Sequence, residues 1–140
     1  MTGPPATKGR CLCGAVSHEG RGALKGVSAC HCRDCARWVG GPALTAEFTE
    51  GFAIEGPVRW WRSSEWGERG SCAQCGAALF WRAIDGSIIN AGAGFFDDPT
   101  QFQQIDLHIF VDRKPAFYDF ADDVPRLTGD EYLAALQASS

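Results

Sequence analysis

The sequence predicts a mainly β protein that carries clustered cysteines. From about residue 10 to residue 111, short apolar or alternating runs are separated by Gly, Pro, Asp and Ser, which is typical of antiparallel sheets. The seven cysteines fall into three close groups, and a single helix pattern stands at the C-terminal end. We therefore expect a small sheet-based protein that metal ions help to hold together.

Seven strands are predicted from these runs, and the turn residues between them support the assignment. The Asp85-Gly86 pair is a hairpin signal between two of the runs. The predicted strands cover residues 11–18, 27–30, 43–48, 58–62, 78–82, 87–91 and 105–111.

A short C-terminal helix is also predicted. Thr128 precedes Glu131 at the spacing of a capping box, in which each residue satisfies a free backbone N–H of the other. Tyr132, Leu133 and Leu136 then form an apolar stripe. We expect this helix to pack on the sheet.

The composition fits one globular domain. The chain has 140 residues, of which 45% are hydrophobic and 21% charged, so it can form a core. The net charge of -4 provides no basic field for nucleic acid, and no run approaches the ~20 apolar residues that cross a bilayer. We expect a cytoplasmic protein without nucleic-acid or membrane partners, with a flexible lead-in at residues 1–9 and a single domain at residues 10–140.

The expected reducing compartment favours metal binding by the cysteines over disulfides. Seven thiols would leave one unpaired, and their close spacing would link near neighbours through strained bridges. Metal sites therefore explain the cysteines better than a disulfide framework does.

Two of the cysteine pairs together predict a structural zinc site. Cys11 and Cys13 should project from the same face of a strand. Cys72 and Cys75 are spaced for a tight turn, and Gly76 lets the backbone fold there without a Cβ clash. Structural zinc takes four tetrahedral ligands, which these two pairs supply.

The remaining cysteines predict a second, open zinc site. Cys30, Cys32 and Cys35 lie close enough in the chain to bind one ion, and no eighth cysteine is present to complete the set. Three protein ligands with one exchangeable position are typical of catalytic zinc. Asp34 is a minor candidate for the fourth position. A second structural zinc, with its fourth ligand from a neighbour or another chain, and an iron–sulfur cluster are the alternatives.

The three histidines are not expected to bind metal. His31 stands between Cys30 and Cys32, so its side chain should face away from an ion that those two share. His18 and His108 are lone residues in strand-like runs. We expect all three rings to be packed or hydrogen-bonded.

The segments CLCGAV, CHCRDC and SSEWGERGSCAQCGAALFWR together resemble the glutathione-dependent formaldehyde-activating enzyme family, which also includes centromere protein V. The resemblance implies an Mss4-like β-tent fold with zinc-binding loops, a structural zinc shared by the CxC and CxxC pairs, and two zinc ions per chain. It implies a reaction centre at Cys30, Cys32 and Cys35. The implied activity is that of a carbon–sulfur lyase, which condenses formaldehyde with the thiol glutathione to S-hydroxymethylglutathione. A non-catalytic, zinc-stabilised binding module is the alternative.

One position departs from the pattern of the resembled family. Ala36 follows the CHCRDC segment where many members carry a basic residue. Arg33, Arg37, Arg62 and Arg82 are candidate contacts for the carboxylates of glutathione, although each is equally explained as a surface arginine.

Overall fold

The structure, a computed structural model, describes residues 7–138. It confirms the mainly β class and the short C-terminal helix. Along the described residues the elements are, in order, β1 (Thr7–Arg10), β2 (Ser17–Cys30), α1 (Arg33–Val39), β3 (Ala43–Glu55), β4 (Val58–Arg62), β5 (Gly67–Cys72), β6 (Ala78–Ala83), β7 (Ile89–Gly92), β8 (Ile105–Ile109), β9 (Arg126–Leu127) and α2 (Gly129–Ala138). Short 3-10 turns stand at Ala93–Phe95, Pro99–Gln101 and Val111–Arg113.

The described residues form two compact units. The first comprises the described residues up to Lys25 together with Ala46–Gln101, and the second comprises Gly26–Thr45 together with the described residues from Phe102 onward. β2 and β3 therefore each contribute residues to both units. The expectation of a single domain over residues 10–140 stays a prediction.

In the first unit the strands lie in the order β4-β5-β6-β7-β3-β2, and β1 pairs with β2. The pairs β4/β5, β5/β6 and β6/β7 are antiparallel, as the sequence predicts. The turn between β6 and β7 contains the expected hairpin signal, with Gly86 at a φ of 78° and the Ser87 N–H bonded to Asp85 Oδ1 at 2.9 Å. Glycine is favoured there because a side chain strains the left-handed backbone.

The core of the first unit is an aromatic cluster around His18. The His18 ring lies 4.6 Å from the ring of Phe95 and 4.7 Å from that of Phe96, both nearly edge-on. Phe48 and Phe80 contact the same ring at 5.4 Å and 6.1 Å. Edge-to-face contacts of this kind stabilise a core beyond the apolar area that they bury.

The second unit departs from the antiparallel prediction. β8 pairs with the end of β2, from Val27 to Cys30, in parallel, and β9 pairs with β8 in parallel as well. Parallel pairing requires a crossover of a dozen or more residues, which apolar periodicity over single strands does not reveal. α2 begins with the predicted capping box, since the Thr128 N–H donates to Glu131 Oε1 at 2.9 Å and the Glu131 N–H donates to Thr128 Oγ1 at 3.1 Å.

Several predicted boundaries were wrong. The first predicted strand, residues 11–18, is instead a loop up to residue 16, after which β2 begins. β1 starts at Thr7 inside the expected lead-in, because the backbone of Thr7–Arg10 pairs with residues 17–20 of β2. Residues 1–6 of that lead-in lie outside the described residues. α1 and β5 were not predicted, since neither RDCARWV nor GERGSC carries a clear apolar period.

Two cysteine clusters as candidate metal centres

The first cysteine cluster joins two distant segments of the first unit. Cys11 and Cys13 lie in the loop between β1 and β2, Cys72 ends β5, and Cys75 lies in the turn before β6. The four sulfurs all lie within 4.8 Å of one another. The Sγ atoms are 3.6 Å apart for Cys11 and Cys13, and 3.7 Å apart for Cys13 and Cys72. A tetrahedral ion with Zn–S bonds of about 2.3 Å sets its sulfurs about 3.8 Å apart, so the cluster fits zinc.

Backbone N–H groups surround the sulfurs of this cluster. The Val16 N–H points to Cys11 Sγ at 3.4 Å, and the N–H groups of Gln74 and Cys75 both point to Cys72 Sγ at 3.3 Å. Donors of this kind stabilise a thiolate, which is the form that binds metal. The turn that brings Cys75 back is closed by Gly76 at a φ of 79°, as the sequence predicts.

The thiols of this cluster shift one another's pKa because their sulfurs lie close together. Burial raises the pKa of Cys11, but the hydrogen bonds from the Val16 N–H and from the thiols of Cys13 and Cys72 outweigh burial and lower the pKa to about 6. The Ala15 backbone lowers the pKa of Cys13, whereas burial and the neighbouring thiols raise it to about 11. Two adjacent thiolates repel each other, so one keeps its proton unless a cation shares the site. A bound divalent cation would let all four sulfurs ionise.

The second cysteine cluster is local in sequence and lies in the second unit. Cys30 is the last residue of β2, Cys32 is the N-cap of α1, and Cys35 lies in the first turn of that helix. The Cys35 N–H donates to Cys32 Sγ at 3.2 Å. The three sulfurs lie within 4.8 Å of one another, and the thiols of Cys32 and Cys35, together with burial, raise the pKa of Cys30.

The second cluster holds three residues, whereas the first holds four. Among the described residues, no histidine or carboxylate joins Cys30, Cys32 and Cys35. Asp34, considered as a fourth ligand, stands next to Cys35 in α1 but is not part of the group. The geometry therefore leaves one corner of a tetrahedral ion without a side-chain ligand from the described chain.

The histidines are packed and hydrogen-bonded, as expected. His31 is 2% exposed, its Nδ1 lies 2.7 Å from the Tyr118 hydroxyl, and its Nε2 lies 2.8 Å from Nδ1 of His108. Burial lowers the pKa of His31. His108 Nε2 in turn lies 3.0 Å from a carboxylate oxygen of Asp122. Nothing in the sequence pattern pointed to Tyr118 or Asp122, because both lie far along the chain from His31.

The candidate arginines divide into two pairs. Arg82 forms an ion pair with Glu68 and lies over the ring of Trp60, and Arg62 donates to backbone carbonyls of its own turn. These two therefore support the structure of the first unit. Arg33 and Arg37 are exposed on α1, the helix that carries Cys35.

Within the described residues, no helix is both long enough and apolar enough to cross a bilayer.

Comparison with known proteins adds to this geometry. The model of the glutathione-dependent formaldehyde-activating enzyme family matches residues 6–113. An uncharacterized lyase of Schizosaccharomyces pombe is 28% identical over 137 residues, which cover 94% of this chain and 98% of the relative. A crystal structure of a Rhodobacter sphaeroides protein superposes with a TM-score of 0.56 at 17% identity, over 70% of this chain and 96% of that one, and so shares its fold. The family match spans both cysteine clusters and most of the chain, and the chain therefore belongs to the glutathione-dependent formaldehyde-activating enzyme family.

Proposed function

We propose that this protein is a zinc-dependent carbon–sulfur lyase that acts on a small thiol or thiol adduct, such as S-hydroxymethylglutathione, at the three-cysteine cluster. The observation that carries the proposal is the division of seven thiols into one group of four and one group of three. Family membership and the lyase name of the yeast relative support the class of reaction.

The two clusters would hold one zinc ion each, with different consequences. The four-thiol group closes the coordination shell, so its ion would serve folding alone. The three-thiol group leaves one position for an exchangeable ligand. The residues that would hold zinc are Cys11, Cys13, Cys72 and Cys75 in the closed site, and Cys30, Cys32 and Cys35 in the open site.

The reaction requires a sulfur nucleophile and an aldehyde carbon. Zinc at the open site would favour the thiolate form of the bound thiol at neutral pH. In the condensation, sulfur attacks the carbonyl carbon of formaldehyde, a C–S bond forms, and the C=O double bond becomes a C–O single bond. The proton lost by the thiol balances the proton gained by the oxygen, so no oxidant or reductant is needed. Cleavage of the adduct is the reverse reaction.

Exposed cations on α1 are the candidate contacts for the rest of the substrate. Arg33 and Arg37 are four residues apart and therefore lie on the same side of the helix. Glutathione carries two carboxylates, which guanidinium groups bind in a bidentate manner. Each arginine is two positions from the buried Cys35, and residues at this spacing do not share a helix face, so the arginines would contact the parts of glutathione that extend away from its sulfur.

The test of the proposed reaction compares rates above the spontaneous background. Labelled formaldehyde and glutathione would be mixed with zinc-loaded protein, and adduct formation followed by NMR exchange. We expect acceleration with the wild-type protein and none with Cys32→Ser. An absence of acceleration while both sites contain zinc would reject the lyase and favour the non-catalytic, zinc-stabilised binding module.

The arginine contacts have a separate test with a matched control. Arg33→Gln and Arg37→Gln should raise the KM for glutathione and leave kcat almost unchanged, because they would remove binding to parts of the substrate distant from the reaction. Arg113 is an exposed arginine outside α1, with 64% of its side chain accessible, so Arg113→Gln should change neither constant. Equal KM values for glutathione in all variants would show that the arginines of α1 do not bind the substrate.

A further inference from the structure

Four side chains of the second unit form a continuous hydrogen-bonded chain that is not part of either cysteine cluster. Tyr118 Oη lies 2.7 Å from His31 Nδ1, and His31 Nε2 lies 2.8 Å from His108 Nδ1. His108 Nε2 lies 3.1 Å and 3.0 Å from the two carboxylate oxygens of Asp122. The two imidazoles are buried, with 2% of His31 and 1% of His108 exposed.

The donor and acceptor chemistry of these four side chains determines which atom donates in each hydrogen bond. A hydrogen bond from His108, with further help from the Val124 N–H and from Arg126, lowers the pKa of the Asp122 carboxyl, so Asp122 is an acceptor. His108 Nε2 therefore carries the proton, and in a neutral ring its Nδ1 is an acceptor. His31 Nε2–H then donates to His108, and His31 Nδ1 accepts the Tyr118 hydroxyl proton. Every bond is satisfied without a buried charged imidazole, which would be costly.

The hydrogen-bonded chain of side chains is connected to the three-cysteine cluster through His31. This residue separates Cys30 from Cys32, so a change in its position moves the segment that carries two of the three thiols. The His31 backbone N–H also donates to the Ile109 carbonyl at 3.0 Å. Both the ring and the main chain of His31 are therefore held by hydrogen bonds from outside the cluster.

Aromatic packing holds the rings in this arrangement. The ring of Phe120 lies edge-on to His108 at 4.9 Å and to His31 at 5.7 Å. The Tyr118 and His31 rings are stacked at 5.6 Å. Burial raises the pKa of the Tyr118 hydroxyl, so it stays protonated and can donate to His31. The Tyr118 hydroxyl donates a hydrogen bond to His31, and its oxygen can still accept another hydrogen bond.

We propose that Asp122, His108 and His31 are positioning residues of the three-cysteine centre, and that they fix both the Cys30–Cys32 segment and the direction of the Tyr118 hydroxyl. Asp122 selects the tautomer of His108, His108 selects that of His31, and His31 orients Tyr118. The inference rests on the proposed function in one respect, namely that Cys30, Cys32 and Cys35 bind a metal ion. It adds Asp122, His108 and His31 to that site as positioning residues.

The first experiment reads the hydrogen-bonded chain directly. Long-range proton–nitrogen NMR of the zinc-loaded protein should show both His31 and His108 protonated on Nε2 and unprotonated on Nδ1. Asp122→Asn should preserve this pattern because its amide oxygen still accepts from His108, and Asp122→Ala should lose it. The opposite tautomer in either ring of the wild-type protein would overturn the inference.

The second experiment measures the effect on the metal centre. Cobalt would be bound to each variant, and the spectrum of Cys32→Ser subtracted to isolate the three-cysteine centre. We expect Asp122→Ala to lower cobalt affinity at this centre by about 10-fold, as for other groups that orient a ligand shell, and Asp122→Asn to restore it. Tyr118→Phe leaves the hydrogen bonds among Asp122, His108 and His31 in place, so it should keep the affinity. Asp123→Ala and Tyr132→Phe are the matched controls and should change neither the affinity nor the spectrum.

The two experiments separate the possible failures. An Asp122→Ala protein with wild-type cobalt affinity and spectrum would overturn the positioning role and leave the proposed function intact. If the wild-type and Cys32→Ser proteins gave identical cobalt spectra, the three-cysteine cluster would bind no metal, and the proposed function would fail together with the positioning role. The NMR result would still report whether the hydrogen-bonded chain exists.

Discussion

The sulfurs of Cys13 and Cys72 lie 3.7 Å apart although the two residues are separated by 59 positions in the chain. Two thiolates at this distance repel each other, so one of them keeps its proton unless a cation shares the site. The binding free energy of a structural zinc ion, of order ~10 kcal/mol, then becomes free energy of folding. The first unit should therefore depend on its metal far more than the second unit does.

Replacing a cysteine should have unequal effects in the two clusters. Cys72→Ser should lower the free energy of unfolding by several kcal/mol or prevent soluble expression, because it removes one of the four ligands of the site that joins two distant segments of the first unit. Cys32→Ser should give a folded protein with one zinc ion. Chemical denaturation and circular dichroism measure both outcomes. If Cys32→Ser were as unfolded as Cys72→Ser, the three-cysteine cluster would be structural as well.

The wild-type protein should contain two zinc ions per chain, one for each cluster. Metal analysis of gently purified protein measures the ratio, and thiol titration under native conditions should find few reactive cysteines. The open site loses metal more readily, so zinc is added and excess removed before the count. One zinc ion per chain together with three freely reactive thiols would contradict the two-site arrangement.

His18 should make the first unit less stable as the pH falls below neutrality. Burial in the aromatic cluster lowers the pKa of His18, against the smaller opposing effects of the Phe95 carbonyl and Asp97. The unfolded state therefore binds a proton near pH 6.5, where the folded ring stays neutral. The free energy of unfolding should decrease as the pH falls below about 6.5, by at most ~1.4 kcal/mol per pH unit from this group.

The variant His18→Phe isolates this contribution from that of the metal-binding thiols. Phenylalanine preserves the aromatic contacts but cannot take up a proton. Both proteins would be unfolded with denaturant in saturating zinc from pH 5 to pH 7.5, and the difference between their free energies plotted against pH. We expect the difference to change through the window below pH 6.5. A difference that is constant over this range would show that His18 does not titrate on unfolding.

Local pattern and ligand chemistry were enough to predict much of the fold and the clusters. The strand at Val58–Arg62 and the capping box of Thr128 and Glu131 follow from residues adjacent in sequence, and the structure contains both. The grouping of seven thiols into four and three follows from spacing and from the coordination number of zinc. The predicted reason for one pair was nevertheless wrong, since Cys11 and Cys13 lie in a loop rather than on a strand.

Features that depend on long-range pairing could not be predicted. The parallel pairing of β2 with β8 places His31 and His108 side by side, although the two rings are 77 positions apart in the chain. Each histidine alone has no pattern around it. α1 was missed because it has only seven residues and begins at a cysteine N-cap, which is not one of the usual capping residues.

A thiol should bind directly to the metal at the three-cysteine centre. The reason is the corner that no described histidine or carboxylate fills, together with membership of a family named for glutathione dependence. Cobalt gives the measurement, because a tetrahedral cobalt centre gains sulfur-to-metal charge-transfer intensity when a thiolate replaces water. Glutathione should increase this intensity in a saturable manner, with release of the thiol proton as the ligand ionises.

The controls for thiol binding test the chemistry of the sulfur and the site separately. S-methylglutathione has the same carboxylates but cannot form a thiolate, so it should leave the charge-transfer bands unchanged. Cys32→Ser retains the four-thiol cluster, whose coordination shell is already closed, and its cobalt spectrum should not respond to glutathione. Smaller thiols should give the same band with weaker affinity if Arg33 and Arg37 bind the glutathione carboxylates. If no thiol perturbed a fully loaded three-cysteine centre at millimolar concentration, the lyase would lose its nucleophile, and a binding role would explain the site better.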